Sequence, residues 1–159
     1  MNEKDAKIIS TWMYPQPYNI YDMDGSEECI NELMNGDYFC AKDNKEQIIA
    51  FMCSGKSARV PGGNEIGIYN NPEIIDIGLG LRPDLTGRGL GSHFLKEAIS
   101  FISKRNNKSE FQLVVAAFNE RAIRAYEKAG FQRKELFHSK VADFNIPFLA
   151  MRYNIPERE

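Results

Sequence analysis

The sequence predicts a mixed α/β fold built on one sheet, and three observations predict it. Strand-like and helix-like stretches alternate through the middle of the chain, from Glu73 to Phe131. Segments that read as strand pairs flank this alternation on both sides. The hydrophobic and charged contents, 43% and 26%, sit at the globular average, so 159 residues are expected to form one domain (1–159) with a proper core.

Taken in order, Asp5 to Met13 reads as a short helix with Ile8, Ile9 and Trp12 on one face. Tyr14-Pro15-Gln16-Pro17-Tyr18 and Tyr21 form an aromatic, proline-punctuated loop. Ser26 caps a helix to about Asn35, because Glu27 and Glu28 load its first turn with negative charge. Ile30, Leu33 and Met34 face inward, and Gly36 ends the helix. Tyr38 to Lys42 and Gln47 to Ser54 make a hairpin across Asp43-Asn44-Lys45-Glu46. Gly55 to Asn71 is rich in Gly, Pro and Asn; a loop and a short strand at Ile66 to Tyr69 are expected there.

The run Ile74, Ile75, Ile77, Leu79, Leu81 is a buried strand that Pro83 ends. Gly78 and Gly80 interrupt it, marking a bulge or a close approach by a ligand or another backbone. The glycine-rich turn Thr86 to Ser92 follows. Leu90, Phe94, Ala98 and Ile102, with Leu95 and Ile99 beside them, then give an apolar stripe at helical spacing. Phe111 to Ala117 is a second buried strand. Asn119 caps a helix to Ala129, which Gly130 closes. Phe131 to Lys140 and Asn145 to Asn154 form the last strand pair.

Several function classes are excluded on simple grounds. A net charge of −2 gives no basic footprint, so no nucleic-acid partner is expected. No apolar segment approaches the roughly 20 residues that span a bilayer, so no membrane partner is expected. Met1 to Ser10 is polar with both signs of charge, unlike a signal peptide, and a cytoplasmic protein is expected. Cys29, Cys40 and Cys53 are odd in number and lack C-x-x-C spacing, so neither a zinc site nor a disulfide framework is indicated. His93 and His138, far apart, offer no metal pair, and no metal is expected.

The glycine-rich turn carries chemistry. It exposes backbone N–H groups at the positive end of a helix dipole, and its glycines remove side chains that would keep a phosphate away. An anion site for a pyrophosphate follows, the simpler alternative being a tight strand-to-helix connection. Neither a P-loop nor a dinucleotide fingerprint fits the letters. No lysine follows Gly91, and the third position after Gly91 is Phe94.

Thr86-Gly87-Arg88-Gly89-Leu90-Gly91 resembles the Gln/Arg-x-x-Gly-x-Gly/Ala hallmark of the GNAT superfamily, the acyl-CoA-dependent N-acetyltransferases, except that Thr stands first. Phe118 to Phe131 is similar to that family's Asn-x-x-Ala-x-x-x-Tyr-x-x-x-Gly-Phe segment, here running from Asn119 through Ala122 and Tyr126 to Gly130 and Phe131. The resemblance covers the chain from about Tyr38 onward. It implies a GNAT-like acyl-CoA N-acyltransferase fold with a splayed central sheet. Members usually begin with a strand, for which Met1 to Lys4 leaves almost no room, so that strand is expected to be missing or vestigial.

The resemblance implies acetyl-CoA as donor and a primary amine as acceptor, either a small molecule or a protein N-terminus. The pyrophosphate would lie on the amides of Gly87, Arg88, Gly89, Leu90, Gly91 and Ser92, with Arg88 and Ser92 offering side chains. The pantetheine arm would pair with the backbone of Leu79, Gly80 and Leu81, and Asn119 would bind it or the adenosine side. Tyr126 occupies the family's tyrosine position, and a phenol can donate a proton to the leaving thiolate. Tyr126 also reads as a core tyrosine sharing a face with Ala122, Ile123 and Ala129.

The base is open at this stage. Ribosomal-protein-alanine acetyltransferases carry a glutamate where this chain has Val114, so that role does not transfer. Asp76 is the nearest acid on the central strand, where desolvation would raise its pKa toward that of a base. It serves equally to hydrogen-bond neighbouring strands, with the amine arriving neutral. Tyr14, Tyr18, Tyr21, Asp22 and Asp24 would suit a cationic amine, but a solvated acidic loop with aromatics packed on the core is the preferred reading. A non-catalytic acyl-CoA-binding or sensing domain is the competing class, a nucleotide-dependent enzyme the third, and a homodimer is frequent among members.

Overall fold

A computed structural model describes residues 1–156. Six strands form one sheet in the order β1-β2-β3-β4-β6-β5. They are β1 Tyr38–Lys42, β2 Ile48–Ser54, β3 Ile74–Leu81, β4 Glu110–Ala116, β5 Gln132–Val141 and β6 Phe144–Asn154. The helices are α1 Glu3–Ser10, α2 Glu27–Leu33, α3 Pro61–Ile66, α4 Gly91–Asn106 and α5 Glu120–Lys128. All strand pairs are antiparallel except β3 with β4, which is parallel and joined through α4. The expected mixed α/β sheet is present.

Period-two alternation sorts the side chains of the sheet onto two faces. Met52, Ile77, Phe111, Leu113, Val115, Leu149 and Met151 meet Leu95, Ala98, Ile99 and Ile102 of α4 and Ile123 of α5 on one face. On the other, Phe51 packs with Ile9, Trp12 and Leu33 of the α1–α2 layer. Nearer β5, Ala116, Phe137, Phe148 and Ala150 pack with Ile68 and Tyr69, which follow α3. The sheet is thus covered on both sides.

Capping chemistry sets the helix starts. Asn2 Oδ1 accepts the Asp5 N–H at 2.8 Å, Ser26 Oγ the Cys29 N–H at 3.1 Å and Asn119 Oδ1 the Ala122 N–H at 3.2 Å. With Asn2 as a cap, α1 begins at Glu3, and among the described residues no strand lies before it. α1 stops at Ser10, short of Met13, because the Ser10 and Thr11 hydroxyls turn back onto the carbonyls of Lys7 and Ile8.

The short strand expected at Ile66 to Tyr69 is not formed: Ile66 ends α3, and Gly67 to Tyr69 make a turn after it. Pro61 opens that helix, and Gly67, in the left-handed region at φ 78°, closes it. Two glycines in so short a helix argue against it on propensity alone. Packing overrides that penalty: a Cβ on Gly62 would lie 2.1 Å from the His138 carbonyl oxygen of β5.

Pairing of β3 with β4 is confined to Ile74, Ile75 and Asp76 opposite Glu110, Phe111 and Gln112. Beyond that point β3 continues beside β2 and β4 beside β6, so the sheet splits. No bulge interrupts β3: its register with β2 runs unbroken from Ile77 to Leu81. Gly78 and Gly80 are instead places of close approach. A Cβ on Gly80 would sit 2.2 Å from the Phe51 ring, and one on Gly78 2.8 Å from Cys53 Sγ.

Candidate active site

The split in the sheet opens into a cleft of about 380 Å³ that runs from one face to the other. On the α4–α5 side it is walled by Leu79, Gly87, Gly89, Gly91, Phe94, Ala122, Ala125 and Tyr126. On the α1–α2 side its walls are Ile9, Trp12, Tyr14, Tyr21, Met23 and Phe51. Leu81, Val114 and Val115 lie on the lips between them.

Antiparallel strands alternate between residues that exchange backbone bonds and residues that turn theirs outward. The Arg82 N–H donates to the Ile49 carbonyl at 2.8 Å, which fixes the phase of the β2–β3 ladder. Gly80 and Gly78 therefore bond across to Phe51 and Cys53. Leu79 and Leu81 direct their amide groups toward the gap, where no strand stands opposite. The Ala117 N–H donates to the Pro147 carbonyl, and the same alternation turns Val114 and Ala116 toward the gap from the β4 side.

Two tyrosines from the aromatic loop reach these lips. The Tyr14 hydroxyl donates to the Leu81 carbonyl at 2.7 Å. The Tyr21 hydroxyl accepts from the Ala116 N–H and from Asn119 Nδ2, each at 3.3 Å. Burial, helped by the Asp22 carboxylate, pushes the Tyr14 phenol up to about 12, and burial raises Tyr21 as well. Both hold their protons at neutral pH.

The glycine-rich turn meets the cleft on the α4 side. Gly87 and Gly89 adopt left-handed φ values of 74° and 75°, which other residues rarely do. Leu90 provides no side-chain cap, so the first N–H groups of α4 are left to whatever the turn faces. Of the residues expected on the donor, Leu79, Gly80, Leu81, Gly87, Gly89, Leu90, Gly91 and Asn119 line the cleft. The Arg88 and Ser92 side chains do not: Arg88 is exposed and Ser92 is buried. Both polar atoms of Asn119 are engaged, one capping α5 and the other on Tyr21.

Tyr126 lines the cleft one helical turn past Ala122. Burial raises its phenol above the ordinary range, and the Tyr21 hydroxyl adds to the shift. It packs against Phe131 at 6.4 Å between ring centroids, so the same side chain joins the core and lines the cleft.

Asp76 is not brought to the cleft. It is 4% exposed, and its carboxylate accepts from Gln112 Nε2 and Arg59 Nε, each at 2.9 Å. Burial raises its pKa while the Gln112 and Arg59 hydrogen bonds pull it down, and the net shift is upward. Gln112 Oε1 accepts from Arg152 Nε, and Arg152 grips Glu135 at 2.7 and 2.9 Å. Asp76 thus ends a polar row that crosses β3, β4, β6 and β5 at the vertex of the split. Gly80 lies four residues along the strand from it, about 13 Å at ordinary strand rise.

Of the aromatic–acidic loop, Tyr14, Tyr18 and Tyr21 line the cleft and the acids do not. Asp22 accepts the Tyr14 N–H at 2.7 Å, and Asp24 accepts that of Ser26 at 2.9 Å. Sequence reasoning passed over Arg121. Its guanidinium lies 4.4 Å from the centre of the Tyr18 ring, and its Nη1 would be 3.1 Å from a Cβ on Gly87. A cation in the first turn of a helix opposes the dipole, and that misplacement was the available signal. Among the described residues no cluster of His, Cys, Asp and Glu could hold a metal, and no helix is long and apolar enough to cross a membrane.

Comparison with known proteins agrees with this geometry. The Acetyltransferase (GNAT) family matches over residues 6–131. No curated protein sequence matches the chain. Among solved structures, a protein provisionally described as a phosphinothricin N-acetyltransferase is similar at 16% identity and a TM-score of 0.73, covering 99% of this chain and 96% of that one. The spermidine/spermine N-acetyltransferase SpeG of Vibrio cholerae, in mutant form, follows at 16% and 0.68, covering 97% and 91%. A phosphinothricin acetyltransferase of Sinorhizobium meliloti, solved with AcCoA, gives 14% and 0.68, covering 99% and 86%. At such identities these likenesses are of fold. The matched stretch holds β3 and β4, between which the sheet splits, with the glycine-rich turn and the helix that carries Tyr126, and by it the chain belongs to the Acetyltransferase (GNAT) family.

Proposed function

We propose that this protein transfers an acetyl group from acetyl-CoA directly to a primary amine. One observation carries this reading: the outward-facing amide groups of Leu79 and Leu81 stand in the same cleft as the uncapped start of α4. A coenzyme A thioester pairs a diphosphate with an arm of successive amides, and these two features suit those two parts. Bound there, it supplies an acetyl group activated as a thioester.

The protein's own groups then have limited tasks. The amides of Gly87 to Ser92, with the Arg121 guanidinium beside Gly87, hold the diphosphate. The N–H of Leu79 or Leu81 donates to the thioester oxygen as charge builds on it. Tyr126, neutral at physiological pH, donates its hydroxyl proton toward the departing sulfur, and the proton that the amine nitrogen sheds as the amide forms returns through water to the Tyr126 oxygen. Asp76 anchors the vertex of the split and takes no part in proton transfer. The amine loses its proton to water before attack, because an apolar cleft disfavours the charged ammonium.

Direct transfer is favoured over a cysteine-bound intermediate. None of Cys29, Cys40 and Cys53 lines the cleft, and burial raises all three thiols, Cys53 to about 12. The test is a screen of amines for free-thiol release from acetyl-CoA, alongside calorimetric titration with the coenzyme. Tight binding with no release on any amine identifies a sensor instead of an enzyme, and absence of binding removes the proposal.

A further inference from the structure

The acceptor half of the cleft has a chemistry of its own. Its walls on the α1–α2 side are Ile9, Trp12, Met23 and Phe51, and all four belong to the apolar cluster on that face. Of the two tyrosine hydroxyls that reach it, Tyr14 donates to the Leu81 carbonyl, and the Tyr21 oxygen accepts from Ala116 and Asn119. Among the described residues no carboxylate lines the cleft, and its single charged residue is Arg121, a cation. The acids nearest in sequence are engaged elsewhere: Asp5 pairs with Lys42, Asp22 accepts the Tyr14 N–H and Asp24 accepts the Ser26 N–H.

A polycation needs carboxylates spaced along its path, and this cleft has none to offer. Aromatic faces can hold one ammonium, but the Tyr18 ring is already covered by Arg121. Desolvation among Ile9, Met23 and Phe51 favours an amine in its neutral form and an apolar body behind it. We infer that the acceptor is a monoamine with an aromatic or branched aliphatic body, lying against Met23 and the packed Trp12–Phe51 pair, and not a polyamine. The substrate class so named rests on the transferase reading of the same cleft.

Trp12 is the only tryptophan in the chain, so its fluorescence reports this compartment without any turnover. Titrating the full-length protein, with and without coenzyme A, should show phenethylamine changing Trp12 emission saturably. Its half-saturation should lie about tenfold or more below that of spermidine. Met23→Glu places one carboxylate in the compartment and should narrow that difference, and Trp12→Phe should abolish the signal. Equal or tighter response to spermidine, or no saturable response to phenethylamine, overturns the acceptor class. Thiol release from acetyl-CoA is followed in parallel. Release with a failed titration removes the acceptor class and leaves the transferase standing. A successful titration without release on any amine removes the transferase, and the acceptor class with it, and leaves a compartment that binds monoamines.

Discussion

At the scale of single residues, Tyr126 and Asp76 separate cleanly. Tyr126→Phe removes one hydroxyl and no packing, so kcat should fall about 100-fold while acetyl-CoA affinity stays within about twofold. Unchanged kcat would return Tyr126 to the core alone. Because burial raises its phenol above the ordinary value, the proton is held throughout the neutral range, and the alkaline loss of activity lies beyond the usual phenol titration. Asp76→Asn leaves one acceptor where Gln112 and Arg59 both donate, so melting should report a loss of about 2 kcal/mol. Its kcat, compared at a temperature where both proteins are folded, should change little. A dead but fully stable variant would make Asp76 the base after all. Both residues were legible in the sequence as candidates. Their roles depend on which way each side chain faces, and period alone did not settle that. Tyr14 and Tyr21 were harder still: their partners lie 67 and 95 positions away along the chain.

At the scale of elements, the sequence spoke most clearly where local chemistry decides. Ser26 and Asn119 announce their helices because a side-chain oxygen beside bare N–H groups is a local matter. Isoleucines at 74, 75 and 77 announce β3 for the same reason. The stretch after Gly55 misled, because α3 is held by its fit against β5, which the letters near Ile66 do not contain. The glycine-rich turn stands between these cases, with its sequence legible and its ligand a proposal. A Cβ on Gly89 meets nothing within 4 Å, so Gly89→Ala strains only the backbone, at about 1 kcal/mol. If the amides of the turn hold a diphosphate, titration with coenzyme A should nonetheless show about tenfold weaker binding, since twisting φ turns an N–H aside. Undiminished affinity would remove the turn from the binding site.

At the scale of the whole molecule, a ligand seated between the two halves of the sheet should brace both. Acetyl-CoA at about 100 times its Kd should raise the melting temperature by about 5–10 °C, whereas ATP or NAD at equal concentration should not. A shift with NAD alone would point to a different occupant. Without a carboxylate in the cleft, the pH dependence of kcat/KM should follow the acceptor's own amine. Activity should climb about tenfold per pH unit until that amine is neutral, and the turning point should move with each acceptor tested. A turning point that ignores the acceptor would mean a base on the protein. One peptide, from Tyr14 to Tyr21, fastens both margins of the opening and also forms part of the room beyond it. The proposed donor slot and acceptor room would therefore share a single strut. If they do, remodelling that peptide to admit a bulkier amine should also loosen the grip on the thioester, and the two Michaelis constants should drift together.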